Sequence, residues 1–183
     1  VGSEMCIRDK ASGQLSGQEK LMLETYVQLD YFERIIVRAN IRLMEMTEGR
    51  YELVRSKEAE NKRSQSGLSL DVIDHYNGGQ RSVKSLSGGE SFQASLALAL
   101  GLSDTVQEEA GGIRLDAMFI DEGFGTLDEG ALRNALQALL ELAADARLVG
   151  VISHVPELKE KIERQIRIRK QPEGGSSAEL VLP

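Results

Sequence analysis

Between Gly17 and Thr47, apolar residues recur at alternating steps of three and four: Met22, Leu29, Phe32, Ile36, Ala39, Leu43 and Met46. That spacing is the seam of a heptad and predicts a helix. Leu21, Tyr26, Ile35, Ile41 and Met44 widen the stripe, and Thr25 interrupts the seam. A wide stripe suits a helix that also packs on a globular body. Two readings follow, a plain core helix or the foot of a coiled coil entering a domain. Gly49 stops the pattern.

The period then changes. RYELVRS (50–56) and LSLDVID (68–74) read as two strands of a hairpin, the second alternating Leu68, Leu70 and Val72. The polar stretch KEAENKRSQSG between them is turn-like. GGQRSVKSLSGGES (78–91) reads as a glycine-rich loop. Glu90 to Glu109, rich in Ala and Leu, predicts a largely buried helix broken by Gly111 and Gly112. LDAMFIDE (115–122) is a continuous apolar run closed by two acids, which predicts a buried strand. GFGTLDEG is a turn, and Ala131 to Ala144 a helix with Leu132, Leu136, Leu139 and Leu140 on one side. RLVGVISH (147–154) is a second buried strand, and VPELKEKI a short helix with Pro156 in its first turn. RQIRIRKQ alternates Ile166 and Ile168 with basic residues, PEGGSS turns, and AELVLP is a last strand. Helices alternating with buried strands predict an α/β fold with a mostly parallel sheet, and the hairpins predict antiparallel edges.

The totals narrow the class. A chain of 183 residues, 41% hydrophobic and 28% charged, has a globular composition, and with 4% aromatics and no Trp its core must be aliphatic. The net charge of −7 argues against coating nucleic acid by bulk charge, although a local basic face stays open. The single cysteine, Cys6, cannot close an internal disulfide, and no Cys/His cluster suggests zinc, so the expectation is a reducing, cytoplasmic setting without a membrane span. The opening VGSEMCIRDK starts with Val, lacks the apolar core of a signal peptide and fits nothing after it. Residues 1–16 are therefore left unassigned, as a spurious or disordered end.

Candidate chemistry sits at strand ends and at one helix start. Asp121 and Glu122 follow four apolar residues, at the strand end where α/β sheets hold ligands. Adjacent carboxylates suit Mg²⁺, which takes one or two of them plus phosphate oxygens and water. A second acid can then activate an attacking water. The plainer alternative is that acids merely close a strand at a turn. His154 ends the next strand, on the same edge if the crossover is right-handed. Gly78 with Lys84 and Ser85 imitates the phosphate loop G-x-x-x-x-G-K-[ST], but Val83 stands where the second glycine must bend the backbone. The match fails. Ser87, Gly88 and Gly89 ahead of a long helix could bind an anion at its free N–H groups. Alternatively, Ser87 and Glu90 form a simple capping box.

Taken in order, SLSGGE, MFIDE, GTLD and His154 resemble the signature, Walker B, D-loop and switch histidine of ABC-type ATPases. LETYVQLDYFERIIVRANIRLMEMTEGRYEL, LSLDVIDHYNGGQRSVKSLSGGESFQASLALALGLSD and IDEGFGTLDE closely resemble the C-terminal ATPase half of the SbcC family of bacterial DNA double-strand-break repair ATPases. The likeness runs from about Gly17 to the C-terminus. It implies the C-terminal lobe of an SMC-like P-loop ATPase head (49–183) entered by the foot of a coiled coil (17–48), with the Walker A half on another segment. By resemblance, Asp121 serves Mg²⁺ through water, Glu122 activates the attacking water and His154 meets the γ-phosphate. Ser87, Gly88 and Gly89, with Glu90 beside them, would contact ATP held by the opposite protomer, and Asp128 would cross the dimer interface. The implied partners are the N-terminal half, a second head, the SbcD nuclease near the Met22–Met46 helix, and double-stranded DNA.

For DNA, Arg55, Lys57, Lys62, Arg63 and Lys84 form one candidate basic face, and Arg164, Arg167, Arg169 and Lys170 another; a solvated mixed-charge surface is the equal alternative. A transporter nucleotide-binding domain shares the motifs but not the heptad entry helix. A chromosome-architecture clamp without a nuclease, and an inactive fragment lacking its Walker A half, are the other rivals.

Overall fold

The computed structural model describes residues 23–56, 68–109, 116–144, 148–172 and 174–183. Residues 1–22, the 57–67 connection and the Gly111–Gly112 break lie outside them.

Helix α1 (Leu23–Met46) carries the heptad stripe into the core. Leu29, Ile35, Ile36, Ala39, Leu43 and Met46 are buried, whereas Val37, Ile41 and Met44 form an exposed second stripe. Ile41 and Met44 thus do not widen the core face; one hundred degrees per residue carries them to the far side of the helix. The helix closes on Glu48 (φ 53°) and Gly49 (φ 78°), with the Gly49 N–H on the Met44 carbonyl at 2.8 Å. Such a left-handed closure is the usual helix stop.

Three antiparallel strands follow, β1 (Tyr51–Arg55), β2 (Leu70–Asp74) and β3 (Gly79–Ser82), in that order across the sheet. Leu53 and Val72 face each other and are fully buried. The first half of the expected glycine-rich loop is therefore a strand. Asp74 makes the turn that allows it, accepting from the Tyr76 N–H at 3.1 Å and the Asn77 amide at 2.9 Å. Its own carbonyl takes the N–H of Gly78, which sits at φ 67°. A single 3₁₀ turn (Val83–Ser85) leads to α2 (Gly88–Glu109).

Helix α2 lies against α1 with backbones touching. A Cβ on Gly101 would fall 2.7 Å from both the Ala39 nitrogen and the Ile35 carbonyl oxygen. At the far end, the Met46 carbonyl, left over at the last turn of α1, accepts from Gln93 of α2 at 3.1 Å. It also accepts from Asn134 at 3.2 Å, on the helix α3 described next. Helix ends leave such carbonyls without intrahelical partners.

Strands β4 (Ala117–Asp121) and β5 (Leu148–Ile152) pair in parallel, joined by α3 (Glu129–Ala144). Parallel pairing and the crossover agree with the expectation from the sequence; full burial does not. Met118, Ile120, Val149 and Val151 pack on the core, and the opposite face is bare. There Phe119 is 70% exposed, Leu148 63% and Ile152 57%. On α3, Leu132, Leu136, Leu139 and Leu142 are buried, and Leu140 is not. Helix α4 (Pro156–Lys161) starts on its proline, and β6 (Gln165–Lys170) and β7 (Ser176–Val181) close the chain as an antiparallel hairpin.

Candidate functional site

The parallel register sets Asp121 opposite Ile152, so β4 and β5 end at one edge. The Glu122 N–H continues the ladder to the Ile152 carbonyl at 3.0 Å. Glu122 then adopts φ 54°, a left-handed conformation that a residue with a Cβ rarely takes and that costs about 1–2 kcal/mol. Gly123 follows at φ 91°, where any Cβ would lie 2.2 Å from the Phe92 ring. The turn is thus forced sharply back, and it holds the Glu122 side chain beside His154. Nδ1 of His154 lies 3.5 Å from Oε1 of Glu122, and both side chains face solvent. Asp121 is exposed next to them. Glu122 and His154 therefore pair at the sheet edge, with Asp121 exposed at the end of β4.

Phe92 edges onto Phe124 at 4.8 Å between ring centres, and Phe124 is fully buried at the start of the 3₁₀ turn Phe124–Thr126. That turn has two neighbours. On one side, a Cβ on Gly125 would come within 3.8 Å of the His154 ring. On the other, Thr126 covers the start of α2. A Cβ on Gly88 would touch its side chain at 3.6 Å, and one on Gly89 would sit 2.9 Å from its carbonyl oxygen. Gly89 is needed for that approach.

The capping box forms. Glu90 accepts the Ser87 N–H at 2.8 Å, and the Glu90 N–H reaches the Ser87 hydroxyl oxygen at 3.3 Å. Because Ser87 Oγ accepts in this box, its own proton stays available to a ligand oxygen. Capping and anion binding are compatible here. Asp128 caps α3 in the same way, accepting the Ala131 N–H at 2.8 Å. Ser87, Gly89, Glu90, Thr126 and Asp128 line one open cleft of ≈ 330 Å³, with Tyr51 on its wall.

Inside that wall, the Tyr51 hydroxyl donates to Glu90 Oε1 at 2.5 Å. Burial and this hydrogen bond push the Tyr51 phenol up to about 12. For Glu90, burial is the largest single influence and pushes upward; the hydrogen bonds from Tyr51 and Ser87, with the Arg81 charge, together outweigh it and hold the carboxyl below its ordinary value. Arg50 stacks on the Tyr51 ring at 4.7 Å and bonds Asp74 at 3.2 Å.

The predicted site residues thus fall into two groups on either side of the Phe124–Thr126 turn. Asp121, Glu122 and His154 stand at the strand edge; Ser87, Gly89, Glu90 and Asp128 line the cleft, with Gly88 against the Thr126 side chain. Of the candidate basic faces, Arg55 is paired with Glu33 at 2.9 Å and Arg169 with Glu179 at 3.3 Å. Lys57, Lys62 and Arg63 lie outside the described residues. Tyr51, Arg50, Asp74, Arg81 and Thr126 are not singled out by the sequence. The available signal is weak: Tyr51 and Tyr76 are two of only four tyrosines in a chain with no Trp.

Residues 58–141 match the family model described as SbcC/RAD50-like, Walker B motif. The chain is 56% identical over 145 residues to the SbcC subunit of the SbcCD nuclease of Staphylococcus saprophyticus, covering 79% of this chain and 14% of that protein. It is 48% identical over 151 residues to the same subunit of Staphylococcus aureus, covering 82% and 15%. The chain thus spans about a seventh of the relatives it matches. In fold it is similar to a chain from a structural study of ATP-driven dimerization and DNA-stimulated activation of SMC ATPases, with TM-score 0.65 and 15% identity over 86% of this chain and 89% of that one. An Smc head bound to the C-winged helix domain of ScpA gives TM-score 0.63 at 15% identity, covering 86% and 45%.

Proposed function

The chain belongs to the SbcC/RAD50-like family, and from that premise we propose that it is the Walker B half of an ATPase head controlling a DNA-end nuclease. In this reading residues 17–48 are the coiled-coil foot and 49–183 the catalytic half-head. The observation that carries the proposal is the Glu122–His154 pair, 3.5 Å apart beside Asp121 at the end of a parallel strand pair. In this reading Glu122 orients and deprotonates a water, and His154 donates to a phosphate oxygen.

The residues fit ATP and Mg²⁺. Asp121 is an exposed carboxylate at a strand end, and magnesium, when bound, neutralises phosphate charge. Its other ligands would be phosphate oxygens and water, so one or two protein carboxylates would suffice. The Ser87 hydroxyl proton and the first N–H groups of α2 supply donors for a second phosphate group. Their separation from Glu122 supports a division of labour, with the cleft serving ATP held by another head. The bare face around Phe119 supports a missing cover, which is the Walker A half in this reading. The exposed stripe Val37, Ile41 and Met44 supports docking of the nuclease subunit on α1. In this reading the assembly is cytoplasmic and acts on double-stranded DNA. The staphylococcal relatives are named as nuclease subunits, which favours this over an architectural clamp.

The test is reconstitution. The chain alone should show no ATP turnover; joined to a Walker A half from a staphylococcal relative, it should hydrolyse ATP and lose this on Glu122→Gln. Turnover by the isolated chain that is lost on the same substitution would refute the split site.

A further inference from the structure

We propose that Tyr51 is a positioning residue for the Ser87–Gly89 loop, acting through Glu90. The inference rests on the head reading above and names a residue of that same cleft.

The geometry is a relay of three groups. The Tyr51 hydroxyl donates to one oxygen of the Glu90 carboxylate at 2.5 Å. The other oxygen accepts the Ser87 N–H at 2.8 Å. The carboxylate is therefore gripped from both ends, and its torsion sets where Ser87 stands. Without Tyr51 the Glu90 carboxylate could swing about its terminal bond, a broad and soft torsion. It would then release the Ser87 backbone at the point where the loop must meet a phosphate.

Tyr51 is itself held on every side. It is 3% exposed. Its N–H reaches the Thr47 hydroxyl at 3.3 Å, just past the end of α1. The Arg50 guanidinium lies 4.7 Å from its ring centre and that of Arg81 5.9 Å. Arg81 in turn anchors the segment before the loop, donating to the Ser85 carbonyl and hydroxyl at 2.8 Å each. Its other amino nitrogen is 4.0 Å from Glu90. The charged groups facing the Tyr51–Glu90 pair are thus Arg50 from the residue before β1, Arg81 from β3 and Asp74 from β2 through Arg50. Tyr51 does not touch ligand in this arrangement; it fixes the group that fixes the loop.

Tyr51→Phe is the test, because it keeps the ring and its guanidinium stacking and removes only the hydroxyl. The measurement is ATP-dependent engagement of the chain joined to a Walker A half, with Ser87→Arg as the control. We expect Tyr51→Phe to raise the ATP concentration for half-maximal engagement about tenfold, the effect of one hydrogen bond to a charged group. Turnover per engaged head should stay near wild type. In a Glu90→Ala background the same substitution should add nothing, since both act through one carboxylate. Unchanged engagement by Tyr51→Phe, or an undiminished effect in the Glu90→Ala background, overturns the relay. If the wild-type assembly does not engage with ATP, or Ser87→Arg leaves engagement intact, the head reading itself fails, and the relay with it.

Discussion

Asn40 of α1 holds Leu53 of β1 by both of its peptide groups: the amide N–H donates to the Leu53 carbonyl and the amide oxygen accepts the Leu53 N–H, each at 2.8 Å. Among the described residues β1 is at the sheet edge, with β2 as its strand neighbour. The side chain therefore does what a further strand would do. Helix and sheet are joined here by backbone hydrogen bonding as well as by the buried apolar surface of Ile36, Ala39 and Leu43.

Replacing Asn40 with Leu should accordingly cost about 2–4 kcal/mol, because two peptide groups around a fully buried side chain lose their partners. Urea unfolding of the chain measures this. A loss under about 0.5 kcal/mol, the level of an ordinary surface change, would mean the amide bonds are not made.

Gly101→Ala should cost about 1–3 kcal/mol by pushing α1 and α2 apart. The added methyl meets backbone atoms of Ile35 and Ala39 at 2.7 Å, and backbone cannot swing aside as a side chain can. A matched Ala99→Gly change on the exposed side of α2 should cost only about 1 kcal/mol, through helix propensity alone. Urea unfolding of the two variants side by side checks this, and a Gly101→Ala protein more stable than the parent, as helix propensity alone would make it, would mean the helices are not in backbone contact at Gly101.

Asp74 makes the acid limb of stability predictable. Its hydrogen bond with Arg50 holds the carboxyl below its ordinary value of 3.8, against the upward push of burial. A carboxylate with a depressed folded value stabilises the fold above its unfolded value and loses that contribution as pH falls through the folded one. Thermal unfolding temperature should thus drop as pH is lowered below about 3.8. Asp74→Asn should be less stable near neutrality, with a shallower fall in that range. Parallel profiles for the two proteins would contradict the Asp74–Arg50 pairing.

Phe119→Asp probes the bare sheet face. With the ring 70% exposed, thermal unfolding of the isolated chain should shift by no more than a few degrees. Assembly with a Walker A half should weaken about thirtyfold, the size expected when a central aromatic anchor is lost. Titration of a labelled half against both proteins distinguishes the outcomes, and equal affinities would remove Phe119 from the interface.

The elements legible in the sequence are those with a local period or a hard stop. The stripe of α1, the acids closing β4 and Pro156 opening α4 each depend on residues near in sequence. Strand β3 is not legible, because Gly79, Gln80, Arg81 and Ser82 carry no apolar alternation; pairing with β2 and the Asp74 turn hold it instead. The β4 run of Ala117 to Ile120 reads as buried because every position is apolar, as in a sheet covered on both faces. The described residues supply one cover. In the candidate site, strand order alone places Glu122 and His154 at one edge. It cannot place the Tyr51–Glu90 contact, which joins positions 39 residues apart that no periodicity links. The Ser87–Glu90 box is legible, being local.

The parallel pair β4–β5 has a further consequence, in time rather than in geometry. Among the described residues neither strand has a second neighbour, so two rows of peptide groups stand open beside an apolar face. Open edges of that kind recruit other strands, including those of identical chains. The chain on its own should therefore be a short-lived species whose light scattering grows with concentration, and a cover for Phe119 added early should keep it monodisperse.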